Sequence, residues 1–208
     1  TWLEEAYTKE GFTAREVQDR IGGFNAGSPA FGGSTTNTWN YTTIQRENLM
    51  SRDRSGTAQT AGHEFFHTIQ ENLAKTNPGP KGLLVPNWFW EGPAVFVGLQ
   101  TANHLSLADY ATEGRIFAVK RSISGPVKSL KLSEVTKNDG SSDPYGIGAI
   151  ATEFLVANVG MEKFMNVYNN LGKNIKFPDA FKSATGVDLA DFYAMFEEIR
   201  STLGTPKS

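Results

Sequence analysis

Gly62-His63-Glu64-Phe65-Phe66-His67 is the stretch from which the rest of the chain is read. It has the form His-Glu-x-x-His, and on a helix such a run sets two imidazoles one turn apart on a single face. Two neutral imidazoles held in that way can share one Zn²⁺. Glu64 falls about 100° round the helix from His63, beside a metal rather than on it. There its carboxylate can take a proton from a zinc-bound water, whose pKa the ion lowers to roughly 7.

The flanking residues agree with a helix, predicted over residues 57–75. Phe65, Phe66, Ile69 and Leu73 share one apolar arc with Gly62 inside it, while His63, His67 and Gln70 fall just beyond its edge. Such a helix would bury both phenylalanines in a core and turn its histidines to a cleft. The bland alternative is a chance match on a surface helix. Against it, the chain has 3 histidines and two of them are here.

At 208 residues the chain is long enough to bury a substantial core, and a single catalytic domain over 1–208 is expected. Its upper lobe would run over residues 1–78 and a helical lower lobe over 79–208. Hydrophobic content of 39% with 20% charged residues is ordinary for a globular protein. With 20 basic against 22 acidic residues, nothing in the charge suits a nucleic acid or an anionic membrane. No apolar run approaches the roughly 18 residues a membrane span needs. The polar start Thr1-Trp2-Leu3-Glu4-Glu5 argues against a signal peptide, and a start without Met suggests a processed form or an excised domain. The absence of cysteine removes disulfides, thiolate ligands and thiol nucleophiles. A cysteine-free chain suits a secreted bacterial protein or a cytosolic one, and the secreted form is favoured.

Along the chain, residues 1–20 read as one or two short helices, with Thr13 as an N-cap. Residues 21–37 are rich in glycine, serine, threonine and asparagine and read as loops, without the Gly-Lys-Ser/Thr that a phosphate loop needs. Residues 38–44 are β-branched and aromatic, the best strand in the chain, predicted to be an edge that pairs with extended substrate. The Pro/Gly run at 77–82 is the expected hinge between lobes. Beyond it, helices are predicted at 86–99, 105–119, 145–159 and 161–171, and a last one follows Asp188 as N-cap.

Two histidines do not close a zinc site, which needs a third protein ligand and a water. A third histidine in the longer His-Glu-x-x-His-x-x-Gly-x-x-His pattern is excluded, because positions 70 and 73 are Gln70 and Leu73. His104 lies in a polar stretch and reads as a surface residue. Within Asn87-Trp88-Phe89-Trp90-Glu91-Gly92, Glu91 opens an otherwise apolar helix. A lone carboxylate there is costly to bury without a partner, and zinc would be that partner. The alternative is a first-turn glutamate sitting on the helix dipole.

His63-Glu64-Phe65-Phe66-His67 followed by Trp88-x-x-Glu91-Gly92 resembles the gluzincin branch of the zinc metallopeptidases. This is the MA clan of thermolysin-like and aminopeptidase-like enzymes, and the likeness is closest to its compact peptidase-MA-like members. Pro144-Tyr145-Gly146, and Ala180-Phe181 leading to Thr185-Gly186, are similar to that group as well, so the resemblance covers residues 39 to the C-terminus. It implies an α+β, two-lobed zincin fold: a small sheet and the active-site helix in the upper lobe, a mainly helical lower lobe. It also implies one Zn²⁺ per chain bound by His63, His67 and Glu91, with Glu64 as general base and proton shuttle. Tyr145 is the candidate donor to the tetrahedral oxyanion, with His104 and Arg115 as alternatives. The substrate would be a peptide or protein.

Two departures qualify the likeness. The acidic residue that thermolysin-like members carry four positions after the glutamate ligand is Val95 here, so another residue must orient the imidazole. The aminopeptidase signature Gly-x-Met-Glu-Asn is also absent, with Arg46-Glu47-Asn48 a faint echo, which favours an endopeptidase. The reading from another class is an inactive or weakly active peptidase-like domain that serves as a binding module. Zinc hydrolysis of a non-peptide amide is a third.

Overall fold

The computed structural model of the chain describes residues 2–9, 11–25, 32–35, 40–43, 54–75, 85–138 and 141–203. Nine α-helices account for most of the described residues: α1 (Trp2–Lys9), α2 (Ala14–Asn25), α3 (Arg54–Ala74), α4 (Asn87–His104), α5 (Arg115–Ser122), α6 (Pro144–Val159), α7 (Met161–Leu171), α8 (Phe177–Thr185) and α9 (Leu189–Thr202). A π-helical turn, Tyr110–Gly114, runs directly into α5, where one regular helix was expected over 105–119.

The expected α+β class is overturned: the fold is all-helical. The extended segments among the described residues are β1 (Gly32–Thr35) and β2 (Asn40–Thr43), a short antiparallel ribbon with Gly32 opposite Thr43 and Thr35 opposite Asn40. Two strands of this length do not make a layer on which a core can be built. The large buried side chains, Trp88, Phe89, Phe164, Tyr168, Phe181, Phe192 and Phe196, all stand on helices. β-Branched and aromatic composition at 38–44 favours extended backbone but carries no count of neighbouring strands. Within that segment β1 occupies one edge of β2, and Trp39 and Ile44 lie outside the described residues. So does the expected hinge at 77–82.

The helix that organises the rest is α4. Trp88, Phe89, Trp90, Ala94, Phe96, Leu99 and Ala102 are buried, so the helix is apolar all round and belongs inside. It lies against α3 on one side and α6 on the other. Glycine makes both approaches possible. A Cβ on Gly92 would run into the backbone of Gly148, and a Cβ on Gly98 into the carbonyl of Gln59. Three helices therefore come close enough for their side chains to converge.

Gly148→Ala tests this contact, because its methyl would meet the Trp88 carbonyl and Gly92 with no flexible side chain to yield. The expected loss is about 1–3 kcal/mol by overpacking, read as a fall in Tm of about 2–4 °C per kcal/mol. An unchanged Tm would show that α4 and α6 are not in this contact.

The start of α4 is held by an aromatic cluster. The Trp88 ring stacks on Phe192 at 5.7 Å, and its Nε1–H donates to the Tyr193 hydroxyl at 3.2 Å. Phe89 lies 4.8 Å from Phe177 and 5.2 Å from Tyr168, centroid to centroid. Glu91 stands on the same turn of α4, three residues after Trp88. Elsewhere Thr13 caps α2 as expected: its Oγ1 accepts from Glu16 N at 3.3 Å, while Glu16 Oε2 accepts from Thr13 N at 2.8 Å. Asp188 stands at the N-cap of α9, but its carboxylate pairs with Lys182 at 2.8 Å instead of capping.

Candidate metal centre

Helix α3 turns most of its expected apolar arc inward, with Ile69 and Leu73 packed against the core, but not all of it. Phe66 is buried, but Phe65 is 63% exposed. The buried face extends beyond that arc through His67, Gln70, Glu71 and Ala74, with Glu64 on its flank. The neighbouring helix decides this: α4 packs on the histidine side of α3, so His67 and Gln70, with partners on that helix, take the interior. Trp90 of α4 stacks on the His67 ring at 5.4 Å with 14° between planes.

That packing brings Glu91 to the two histidines. Its Oε2 lies 3.4 Å from His63 Nε2 and 3.4 Å from His67 Nε2, and the two Nε2 atoms are 3.1 Å apart. His63, His67 and Glu91 thus each offer one ligand atom within 4.8 Å of the others, and the group could hold a metal ion. The donor set is two imidazoles and one carboxylate, which suits a divalent cation of intermediate softness. The His63 and Glu91 side chains each keep 16% exposure, so the group is reachable from outside.

Charge and burial oppose each other here. Burial would raise the Glu91 carboxyl, but hydrogen bonds from His63 and His67 outweigh it and bring it down to about 2. Burial lowers the His63 ring against the pull of Glu91. Burial also acts to lower His67, but its bond to Glu91, the charges of Glu91 and Glu64 and its bond to Gln70 win, and the ring is raised. Glu64, 8% exposed, is pushed by burial up to about 7; His67 draws it back and Glu91 adds to the rise.

Tyr145 reaches the group from the start of α6. Its ring centroid lies 6.1 Å from that of His63, and its hydroxyl accepts from Asn138 Nδ2 at 2.8 Å. Asp143 caps α6 by accepting from Tyr145 N at 3.1 Å and pairs with Arg121 at 2.6 Å. The Arg121 guanidinium in turn lies over the Tyr145 ring, 5.4 Å from its centroid. Burial, and then the charge of Glu91, push the Tyr145 hydroxyl up to about 12, so it carries its proton at neutral pH.

The two alternatives to Tyr145 are elsewhere. His104 is exposed at the far end of α4, roughly 20 Å along the helix from Glu91 at 1.5 Å per residue. Arg115 is engaged by Glu153 at 2.8 Å, on the C-terminal half of α6. The residue that orients an imidazole, which the sequence leaves unnamed, is Gln70: its Oε1 lies 2.7 Å from His67 Nδ1. Its signal was a polar residue one turn after His67, on the same face. Val95 packs against the apolar core and takes no part.

No protein-family model, no curated protein and no solved structure matches the chain. No helix of the described residues is long and apolar enough to cross a membrane.

Proposed function

We propose that the chain is a zinc-dependent peptidase of the gluzincin type that cleaves within peptides. The observation that carries this reading is the spacing of the three donor atoms, 3.1, 3.4 and 3.4 Å. Three donor atoms this close together could be shared by one small divalent ion, so His63, His67 and Glu91 would hold zinc. A zinc ion held there supplies a Lewis acid that polarises a carbonyl oxygen and lowers the pKa of water.

The protein's own residues do the rest. Glu64 follows His63 directly and stands beside the ligands without belonging to them. Its carboxylate takes a proton from water as the water oxygen attacks the substrate carbonyl carbon. It then returns that proton to the amide nitrogen as the C–N bond breaks. Tyr145 donates its hydroxyl proton as a hydrogen bond to the oxygen on which negative charge develops. Arg121 and Asp143 hold that ring in place.

If Tyr145 has this role, Tyr145→Phe lowers kcat by roughly 10²–10³ with KM little changed. Steady-state kinetics on one cleaved peptide checks it, and an equally active variant would assign the oxyanion to another donor. The reading as a whole is tested by incubating the protein with a mixed peptide library and identifying the cut sites by mass spectrometry. Internal cuts that a chelator abolishes are the expected result. Cuts confined to the amino terminus would make it an exopeptidase. No cuts from a zinc-loaded protein would favour a binding module.

A further inference from the structure

We infer that Gln70 is a positioning residue that fixes the tautomer of His67, and that Pro93 in α4 dictates which way its amide faces. Pro93 has no N–H, so the carbonyl of Phe89, four residues earlier, has no donor within the helix. Tyr168 supplies one, its hydroxyl donating to Phe89 O at 2.8 Å. A hydroxyl carries one proton, so toward Gln70 the same oxygen can only accept, and Gln70 Nε2 donates to it at 2.8 Å. The amide's second N–H goes to the carbonyl of Trp90 at 3.0 Å, an atom that can never donate.

Turning the Gln70 amide over would set oxygen against oxygen at both contacts. Its orientation is therefore forced, and Oε1 is the atom 2.7 Å from His67 Nδ1. An amide oxygen only accepts, so Nδ1 carries the proton. In the neutral ring Nε2 is then the nitrogen without a proton, 3.1 Å from His63 Nε2 and 3.4 Å from Glu91 Oε2, where it could serve as a ligand in place of donating to Glu91. Gln70 and Tyr168 are both fully buried, so water does not stand in for any of these partners.

A carboxylate at position 70 could also accept from Nδ1, but it could not donate to Trp90 O and would place a charge in a dry cluster. A neutral amide also pushes less electron density through the ring to Nε2 than a carboxylate would, which would leave a bound cation the stronger electrophile. Helix α4 thus provides Glu91 directly and, through two backbone carbonyls, orients a histidine on the helix beside it.

The consequence for metal affinity rests on the zinc reading; the tautomer does not. Two measurements test the assignment: a long-range ¹H–¹⁵N correlation spectrum of the histidine rings in chelator-treated protein, above their titration range, and zinc affinity by competition with a chromophoric chelator. Wild type is expected to show His67 protonated on Nδ1 alone. Gln70→Glu, which keeps an acceptor, is expected to keep that pattern. Gln70→Met fills similar volume without an acceptor, and should lose the pattern and bind zinc about 10–100-fold more weakly.

A wild-type His67 protonated on Nε2 would overturn the inference. So would a Gln70→Met ring with unchanged tautomer and unchanged zinc affinity. The wild-type spectrum decides even if either variant fails to fold. A wild type that shows the Nδ1–H ring but takes up no zinc supports the positioning and defeats the zinc reading instead.

Discussion

Glu64→Gln is expected to keep one zinc per chain while peptide hydrolysis falls by about 10²–10⁴-fold, the usual worth of a positioned general base. The substitution preserves shape and volume but removes the ability to accept a proton. Glu64 contributes no atom to the group formed by His63, His67 and Glu91, so the metal has no reason to leave. Nor should folding suffer, since an amide is cheaper than a carboxylate to bury where Glu64 sits. Elemental analysis and a fluorogenic peptide assay on the same preparation read both halves. A variant that loses zinc would make Glu64 a ligand, and a variant of full activity would leave the proton to another group.

Glu91→Ala is expected to behave in the opposite way, losing the metal first and activity as a result. Its Oε2 lies 3.4 Å from both imidazole nitrogens and supplies the only negative charge among the three ligand groups. Without it, two histidines on one helix remain, too few protein ligands for a stable zinc site. Binding of the ion is linked to folding. At free zinc 1,000-fold above Kd the wild type gains about 4 kcal/mol, which at about 2–4 °C per kcal/mol raises Tm by about 8–16 °C. The variant should show little of that shift. A Glu91→Ala chain that zinc stabilises as strongly as wild type would remove Glu91 from the ligand set.

The group that could hold a metal ion was legible in the sequence because most of it is local. A spacing of four positions from His63 to His67 puts two rings on one helix face whatever the rest of the fold does. Glu91 stood out as a carboxylate among tryptophans at the start of an apolar helix, where burial demands a partner. Gln70 was legible as a polar residue on the histidine face but not as the group that orients His67. Its burial depends on Tyr168, distant in sequence, and on a carbonyl freed by Pro93, so on its own helix it looks like an ordinary polar residue.

Phe65 shows the same limit from the other side. Periodicity places it with Phe66 in an apolar arc, yet the buried face of α3 is set by where α4 lies, and that contact is licensed by Gly98, a residue with no side chain to read. The expected sheet fails for a related reason. Composition at 38–44 reports the preference of a segment for extended backbone, whereas fold class depends on how many segments pair. Here the volume is filled by helices drawn together at Gly92 and Gly148.

Zinc K-edge X-ray absorption on the wild type, with Glu91→Ala beside it, tests the central claim most directly. The expected spectrum has a four-coordinate shell of nitrogen and oxygen: two imidazole nitrogens at about 2.0–2.1 Å and a carboxylate oxygen at about 2.0–2.2 Å. In the variant the carboxylate contribution should vanish together with most of the metal. A wild type that holds no zinc, one with a single imidazole in its shell, or a shell unchanged by Glu91→Ala would contradict the account.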